Sequence, residues 1–235
     1  TATCTQDVVV TDDENPTIAC PSDIVVPTDA GFSTANITIA IPATGDNCTV
    51  ASVVNDFTGT SNASGVYPIG TTTVTYIVTD AAGNSITCSF DVTVSDNQAP
   101  DLTCPANQNV DNDALACQAF VSVPLAIATD NDGVASLTND FNGTGDASGI
   151  YPVGTTTVTW TAVDTNGNIS TCSMTVTVND IQSPTIVCPA NLTIGSNLGV
   201  CEANVTIAAI NASDNCGIAS ITNDFNGTAN ASGTY

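Results

Sequence analysis

Asn55-Asp56-Phe57-Thr58-Gly59, running on to Tyr67-Pro68-Ile69-Gly70-Thr71-Thr72-Thr73-Val74-Thr75, decides the fold, because the chain repeats it. It returns as Asn139-Asp140-Phe141-Asn142-Gly143 through Tyr151-Pro152-Val153-Gly154-Thr155-Thr156-Thr157-Val158-Thr159, and opens again at Asn223-Asp224-Phe225-Asn226-Gly227. The step from Asn55 to Asn139 equals the step from Asn139 to Asn223. Pro16, Pro100 and Pro184 keep that step, as do Cys20, Cys104 and Cys188, and Cys4, Cys88 and Cys172. A fixed period of this length marks a tandem array of equivalent units. The phase predicts the closing strand of a preceding unit at 1–15, whole units at 16–99 and 100–183, and a truncated third at 184–235. Each whole unit falls within the size range of a domain with its own core.

Within a unit the signals are those of strands. In Ser85-Ile86-Thr87-Cys88-Ser89-Phe90-Asp91-Val92-Thr93-Val94, apolar residues take every second place. A period of two puts Ile86, Cys88, Phe90, Val92 and Val94 on one face. Thr73–Val78 reads as the partner strand, joined through Asp80-Ala81-Ala82-Gly83-Asn84, where Gly83 suits a turn with positive φ. Ala35, Ile37, Ile39 and Ile41 alternate as another strand, Val50 to Phe57 is the next, Val66-Tyr67 lies in one more, and a short one opens near Asp23 to Val26. Trp160 takes the inward place of Tyr76, as a core aromatic. Short strands between Gly and Pro, with no sustained helical period, predict an all-β fold: tandem immunoglobulin-like sandwiches of about seven strands, arranged as a rod.

The charge excludes several functions. The chain carries 23 acidic residues and no Lys, Arg or His, a net charge of −23. It cannot neutralise phosphates, which argues against nucleic-acid binding, and nothing draws it to an anionic membrane surface. No run is apolar enough for direct membrane insertion. With no His or Lys, acid–base chemistry falls to carboxylates, helped at most by Tyr. The same Asp residues in every unit do not describe one active site, so no enzyme is expected. Ten cysteines at recurring positions predict disulfides and an extracellular, cell-surface setting. Ten Asn-x-Ser/Thr sequons, Asn36 and Asn62 among them, are surface markers in a glycosylating host.

A family resemblance rests on the same residues. Pro16 to Pro21, Asp46-Asn47, Tyr67 to Thr75, Asp80 to Asn84 and Cys88 to Val94 resemble the motifs of the hyalin repeat (HYR) domain. The resemblance covers essentially the whole chain. It implies immunoglobulin-type sandwiches of extracellular adhesion proteins, in long arrays like those of giant surface adhesins of Bacteroidetes, and it supplies no catalytic residues. The expected function is a structural spacer of an adhesin or surface fibre. Its partners are neighbouring repeats and other copies of the fibre. The alternative is an adhesion module gripping a glycan or protein through Asn55-Asp56-Phe57, Asn139-Asp140-Phe141 and Asn223-Asp224-Phe225. Those Phe residues equally suit anchoring their loops in the core.

Strand order assigns each loop to a pole. If successive strands alternate in direction, the incoming linker, the loop holding Asp46-Asn47 and the loop from Asp80 to Asn84 share the pole where the chain enters. That gathers Asp12, Asp13, Asp46 and Asp80 in the first unit. In the second it gathers Asp96, Asn97, Asp130, Asp132 and Asp164, and in the third Asp180, Asp214 and Asn215. Calcium takes six to eight oxygen ligands of this kind. Asp96-Asn97-Gln98-Ala99-Pro100 also resembles the cadherin linker, which implies Ca²⁺ as the cofactor; turn capping by the same Asp residues is the alternative.

The poles also sort the cysteines. The first and last strands of a unit both start where the chain enters, which pairs Cys20 with Cys88 and Cys104 with Cys172. A Cys88–Cys104 bond would have to span a unit's height. Cys117 and Cys201 replace Ser33, while Cys48 and Cys216 replace Asp132. Across a junction Ser33 faces Asp132, with cysteine absent on both sides, and Cys117 faces Cys216, with cysteine present on both. An inter-unit disulfide Cys117–Cys216 follows; a buried free thiol or a bond between neighbouring chains is the alternative.

Overall fold

The computed structural model describes residues 1–235, and every regular element in it is a β-strand. Its contacts form two compact units. The first comprises Thr1–Leu102, Ala128–Leu137 and Ala162–Ser170; the second comprises Thr103–Ile127, Thr138–Thr161 and Thr171–Tyr235.

In the first unit the organising element is a hairpin of two 11-residue strands, β7 (Gly70–Asp80) and β8 (Ser85–Ser95). The alternation that predicts it also sets its register, with Val74 opposite Phe90 and Tyr76 opposite Cys88. A slip of one residue would turn Val74, Tyr76 and Val78 to water. Gly83 takes φ +95° in the connecting turn, which a side chain would resist. Strand β5 (Val50–Asn55) pairs with β7, and β2 (Ile24–Pro27) runs parallel to β8, giving the sheet order β2-β8-β7-β5. Two-stranded sheets cover its inner face: β3 (Thr34–Ile37) with β6 (Gly65–Pro68), and β1 (Thr17–Ile18) with β4 (Thr44–Gly45).

Ala35, Ile37, Ile39, Tyr67, Val74, Tyr76, Phe90, Val92 and Val94 form the core between them. Tyr67 is wholly buried, and its hydroxyl donates to Ala63 O at 2.6 Å. That contact satisfies the polar end of a side chain whose ring belongs inside. Burial pushes the phenols of Tyr67 and Tyr76 above their ordinary range.

Two expectations need correction. Ile41, expected inward with Ala35, Ile37 and Ile39, is 57% exposed, and β3 ends at Ile37. Pro42 has no N–H to pair and pushes Ile41 out of register, and Pro42 is buried in its place. The strand expected over Val50 to Phe57 stops at Asn55, where the side chain of Asn55 folds the chain into a turn.

The same order recurs one repeat later as β10-β16-β15-β13. Its strands are β9 (Asp101–Thr103), β10 (Gln108–Asp111), β11 (Gln118–Val121), β12 (Ile127–Thr129), β13 (Val134–Asn139), β14 (Gly149–Pro152), β15 (Gly154–Asp164) and β16 (Ile169–Asn179). Trp160 is fully buried at the Tyr76 position, and its indole N–H donates to Gly145 O at 3.1 Å. Residues 184–235 carry β17 (Thr185–Val187), β18 (Asn204–Val205), β19 (Asn211–Ser213) and β20 (Gly233–Thr234). Leu192, Ile194, Val205, Ile207 and Tyr235 line an open cavity of about 690 Å³.

Candidate metal centres and disulfides

Three groups of acidic side chains gather from residues far apart in sequence. One oxygen each from Asp12, Asp46 and Asp80 lie within 4.8 Å of one another, and so do those of Asp96, Asp130 and Asp164. Asp180 and Asp214 form the third group with the sulfur of Cys216. Each acidic group draws on a linker, the Asp-Asn loop and, where present, the turn after the long hairpin's first strand. Asp13, expected beside them, is exposed and lies outside the groups, and Asn97 is exposed. Asp132 also stands outside the triad, its Oδ2 accepting from Thr165 Oγ1 at 2.9 Å.

Each carboxylate is held by its own loop. Asp80 Oδ1 accepts from the backbone N–H groups of Gly83 (2.6 Å) and Asn84 (2.8 Å), and Oδ2 from the Asn84 amide (2.8 Å). Asp164 repeats this with Asn166 N at 2.9 Å, Asn168 N at 2.8 Å and Asn168 Nδ2 at 2.7 Å. Both are only 2% exposed. Burial would raise their pKa, but the hydrogen bonds from Asn84 and Asn168 and the turn N–H groups outweigh it, so both stay below the ordinary carboxylate value. Asp46 Oδ2 caps the N–H groups of Cys48 (2.9 Å) and Thr49 (2.8 Å), and Asp12 Oδ1 accepts from Glu14 N at 3.2 Å.

The remaining oxygens are bare. Asp12 Oδ2, Asp46 Oδ1, Asp214 Oδ2 and Asn215 Oδ1 are buried with no hydrogen-bond donor. Leaving such groups unpaired is costly, and the chain has no Lys, Arg or His to pair them. In Asp12, Asp46 and Asp214 turn capping accounts for one oxygen and leaves the other without a partner. The donor set fits a hard divalent cation that prefers oxygen, and Ca²⁺ above the alternatives because it tolerates irregular geometry. Hydrogen bonding to Asp12, and then its charge, holds the exposed Cys48 thiol above its usual range.

Sequence reasoning missed the amides that organise these sites. Asn84 and Asn168 also donate to the linker carbonyls Asp12 O (3.2 Å) and Asp96 O (3.3 Å). The signal lay in the Asp-x-x-Gly-Asn turn, whose final Asn has no other reason to be fixed.

Disulfides join Cys20 to Cys88 and Cys104 to Cys172, each with Cα atoms 5.8 Å apart, and Cys117 to Cys216 at 4.7 Å. Cys4, Cys48, Cys188 and Cys201 are free and exposed.

The Asn-Asp-Phe loops turn their side chains onto themselves. Asn55 Oδ1 accepts from Thr58 N at 2.8 Å, and Asp56 Oδ1 accepts from Thr75 N at 2.8 Å. Asn139 and Asp140 do the same with Asn142 N (3.0 Å) and Thr159 N (2.8 Å). Asn223 likewise accepts from Asn226 N at 3.0 Å, in a loop that also contains Asp224. Phe57, Phe141 and Phe225 stack on Tyr67, Tyr151 and Tyr235 with centroids 4.2, 4.2 and 4.3 Å apart.

The family model described as HYR domain matches residues 11–94 and 95–178. The hyalin of Strongylocentrotus purpuratus is 32% identical over 220 residues, spanning 90% of this chain and 18% of that protein. The hyalin of Lytechinus variegatus is 30% identical over 223 residues, spanning 91% and 41%. The chain thus covers less than half the length of either relative. Among solved structures, mouse cadherin-23 EC22-24 is 13% identical, covering 86% of this chain and 78% of that one at a TM-score of 0.35.

Proposed function

Because the chain belongs to the HYR domain family, we propose that its adhesion-type extracellular repeats act as a spacer whose junctions are held by calcium. The disulfides fit the oxidising conditions outside the cell. We take the repeats as 16–99, 100–183 and 184–235, with 1–15 closing a preceding one. The observation that carries calcium is the set of bare, buried oxygens on Asp12, Asp46 and Asp214 in a chain without a single cationic side chain. A bound cation would supply charge neutralisation and a common ligand for the linker and both loops. Asp12, Asp46 and Asp80 would hold one ion, and Asp96, Asp130 and Asp164 another. Asp180, Asp214 and the Asn215 side-chain oxygen would hold a third, because Cys216 is spent in a disulfide.

A spacer fits the self-satisfied Asn-Asp-Phe loops better than a glycan grip does, since their polar groups are already engaged. Partners of the whole protein, other copies of the fibre included, belong to this reading too, and no reaction is assigned to it. Native mass spectrometry with and without EGTA, paired with thermal unfolding, tests it. The expected result is bound calcium and a lower midpoint on chelation. Equal midpoints with no calcium retained would refute the calcium reading, and saturable glycan binding would refute the spacer.

A further inference from the structure

The first and second copies, and the second and third, are joined by the same contact. Asn131 Nδ2 donates to Phe32 O at 2.9 Å, and at the equivalent positions one repeat later Asn215 Nδ2 donates to Ala116 O at 2.9 Å. The next residue on each side differs. Ser33 and Asp132 hold the places that Cys117 and Cys216 hold in the later junction, and only the cysteines are bonded.

A polar clasp stands where the bond is missing. Asp132 Oδ2 accepts from Thr165 Oγ1 (2.9 Å) and Asn166 Nδ2 (3.0 Å), and that same amide reaches Asp96 Oδ2 at 3.2 Å. Asp96 is 8% exposed, and its Oδ1 accepts from Thr28 Oγ1 at 3.3 Å and Asn131 Nδ2 at 3.3 Å. The chain supplies its own control. Where Cys48 occupies the Asp132 position, the residues at the Thr165 and Asn166 positions are Ala81 and Ala82, which can make none of these bonds. Cysteine gives way to aspartate together with a change from Ala-Ala to Thr-Asn.

We propose that the two junctions are under different chemical control. The first loosens when the divalent cation is removed and is indifferent to reductant. The second is held by Cys117–Cys216 and tolerates loss of the cation. This rests on the calcium reading above. Without the ion, Asp96, Asp130 and Asp164 confront one another with Asp132 close by, held only by amide and hydroxyl donors whose net contributions are small. In the second junction a covalent bond remains.

The test is hydrogen exchange on the full chain, calcium-loaded or in EGTA, with bound calcium counted by native mass spectrometry. EGTA should speed exchange several-fold in peptides covering 128–137 and 162–170 and leave 112–118 and 212–218 protected. Cys117→Ser/Cys216→Ser should make the second set respond as well. Ser33→Cys/Asp132→Cys should form a disulfide and abolish the response of the first. Calcium that binds and leaves with both sets responding equally, or neither, overturns the proposal and spares the calcium reading. A chain that retains no calcium overturns both.

Discussion

Gly149→Ala should destabilise the second copy through a steric conflict read directly from the structure. A Cβ at Gly149 would lie 2.8 Å from Phe141 Cε1 and 3.3 Å from its Cζ. Backbone strain plays no part, since Gly149 is not among the residues with positive φ. Relief requires the Phe141 ring to leave Tyr151, on which it stacks at 4.2 Å and 8°. Losing an aromatic pair costs about 0.5–1.5 kcal/mol, and overpacking a filled site costs ~1–3 kcal/mol. Because the ring is only half buried and can yield, the expected loss is about 2 kcal/mol, inside the overpacking range. The readout is built in: Trp160 is the sole tryptophan, fully buried in the same copy, so its fluorescence in a urea titration follows that copy alone. With a slope of ~1–2 kcal/mol/M, the midpoint should fall by about 1–2 M. Adding Phe141→Leu to Gly149→Ala should return part of the loss, a coupling of roughly 1 kcal/mol. An unchanged midpoint, or strictly additive losses, would show that the ring is free to turn outward and would revive a ligand role for the Asn-Asp-Phe loops.

Tyr151→Phe removes the hydroxyl that donates to Ala147 O at 2.6 Å, and should cost about 1 kcal/mol by the same fluorescence assay. Cys20→Ser/Cys88→Ser opens a loop with a sequence separation of 68, worth ~4 kcal/mol on the chain-entropy estimate. Calorimetry should show the first copy melting earlier with the Trp160 transition unmoved; a joint shift would contradict independent cores. Acid should act through Asp80 and Asp164, whose pKa values are depressed in the fold despite their burial. Stability from a depressed carboxylate is complete above its unfolded value near ~4 and is lost as pH falls through the folded one. Melting temperature should therefore hold from neutrality to about pH 4 and then drop, and Asp164→Asn should flatten the part of that drop followed by Trp160.

What could be read in advance followed the residues with a strict period. Ile86 to Val94 alternate without a break, so both the strand and its inward face were legible. Cysteines locked to the repeat step led to Cys20–Cys88, and the complementary absences at Ser33 and Asp132 led to Cys117–Cys216. Elements set by a local conflict were not legible. Ile41 has an inward residue's spacing but precedes Pro42, and the backbone restriction overrode the pattern. The two-residue strands β1 and β4 carry too few residues for any period to register. At the sites the carboxylates were visible as a set, but the sequence did not separate Asp12, which gathers with Asp46 and Asp80, from its exposed neighbour Asp13, which does not. Asn131 belongs to the Asp-Asn motif, which did not show what its amide would bond, and Asn166 had no motif of its own.

The bond between Cys20 and Cys88 has a mechanical meaning. Pulled by its ends, the first copy would carry force from Pro16 to Cys20, across the sulfurs, and out along β8 from Cys88 to the linker. Residues 21–87, nearly the whole sandwich, lie inside the closed loop and feel no pull, folded or not. Stretched to its limit the copy would yield roughly 60 Å, against roughly 280 Å for one whole repeat of open chain. Traces from a single-molecule stretching experiment should lack long unfolding steps until reductant is added. Steps of full domain length in the oxidised protein would contradict this load path. A tether built this way has nearly constant length, set by its covalent short-cuts, whatever the state of the cores it carries.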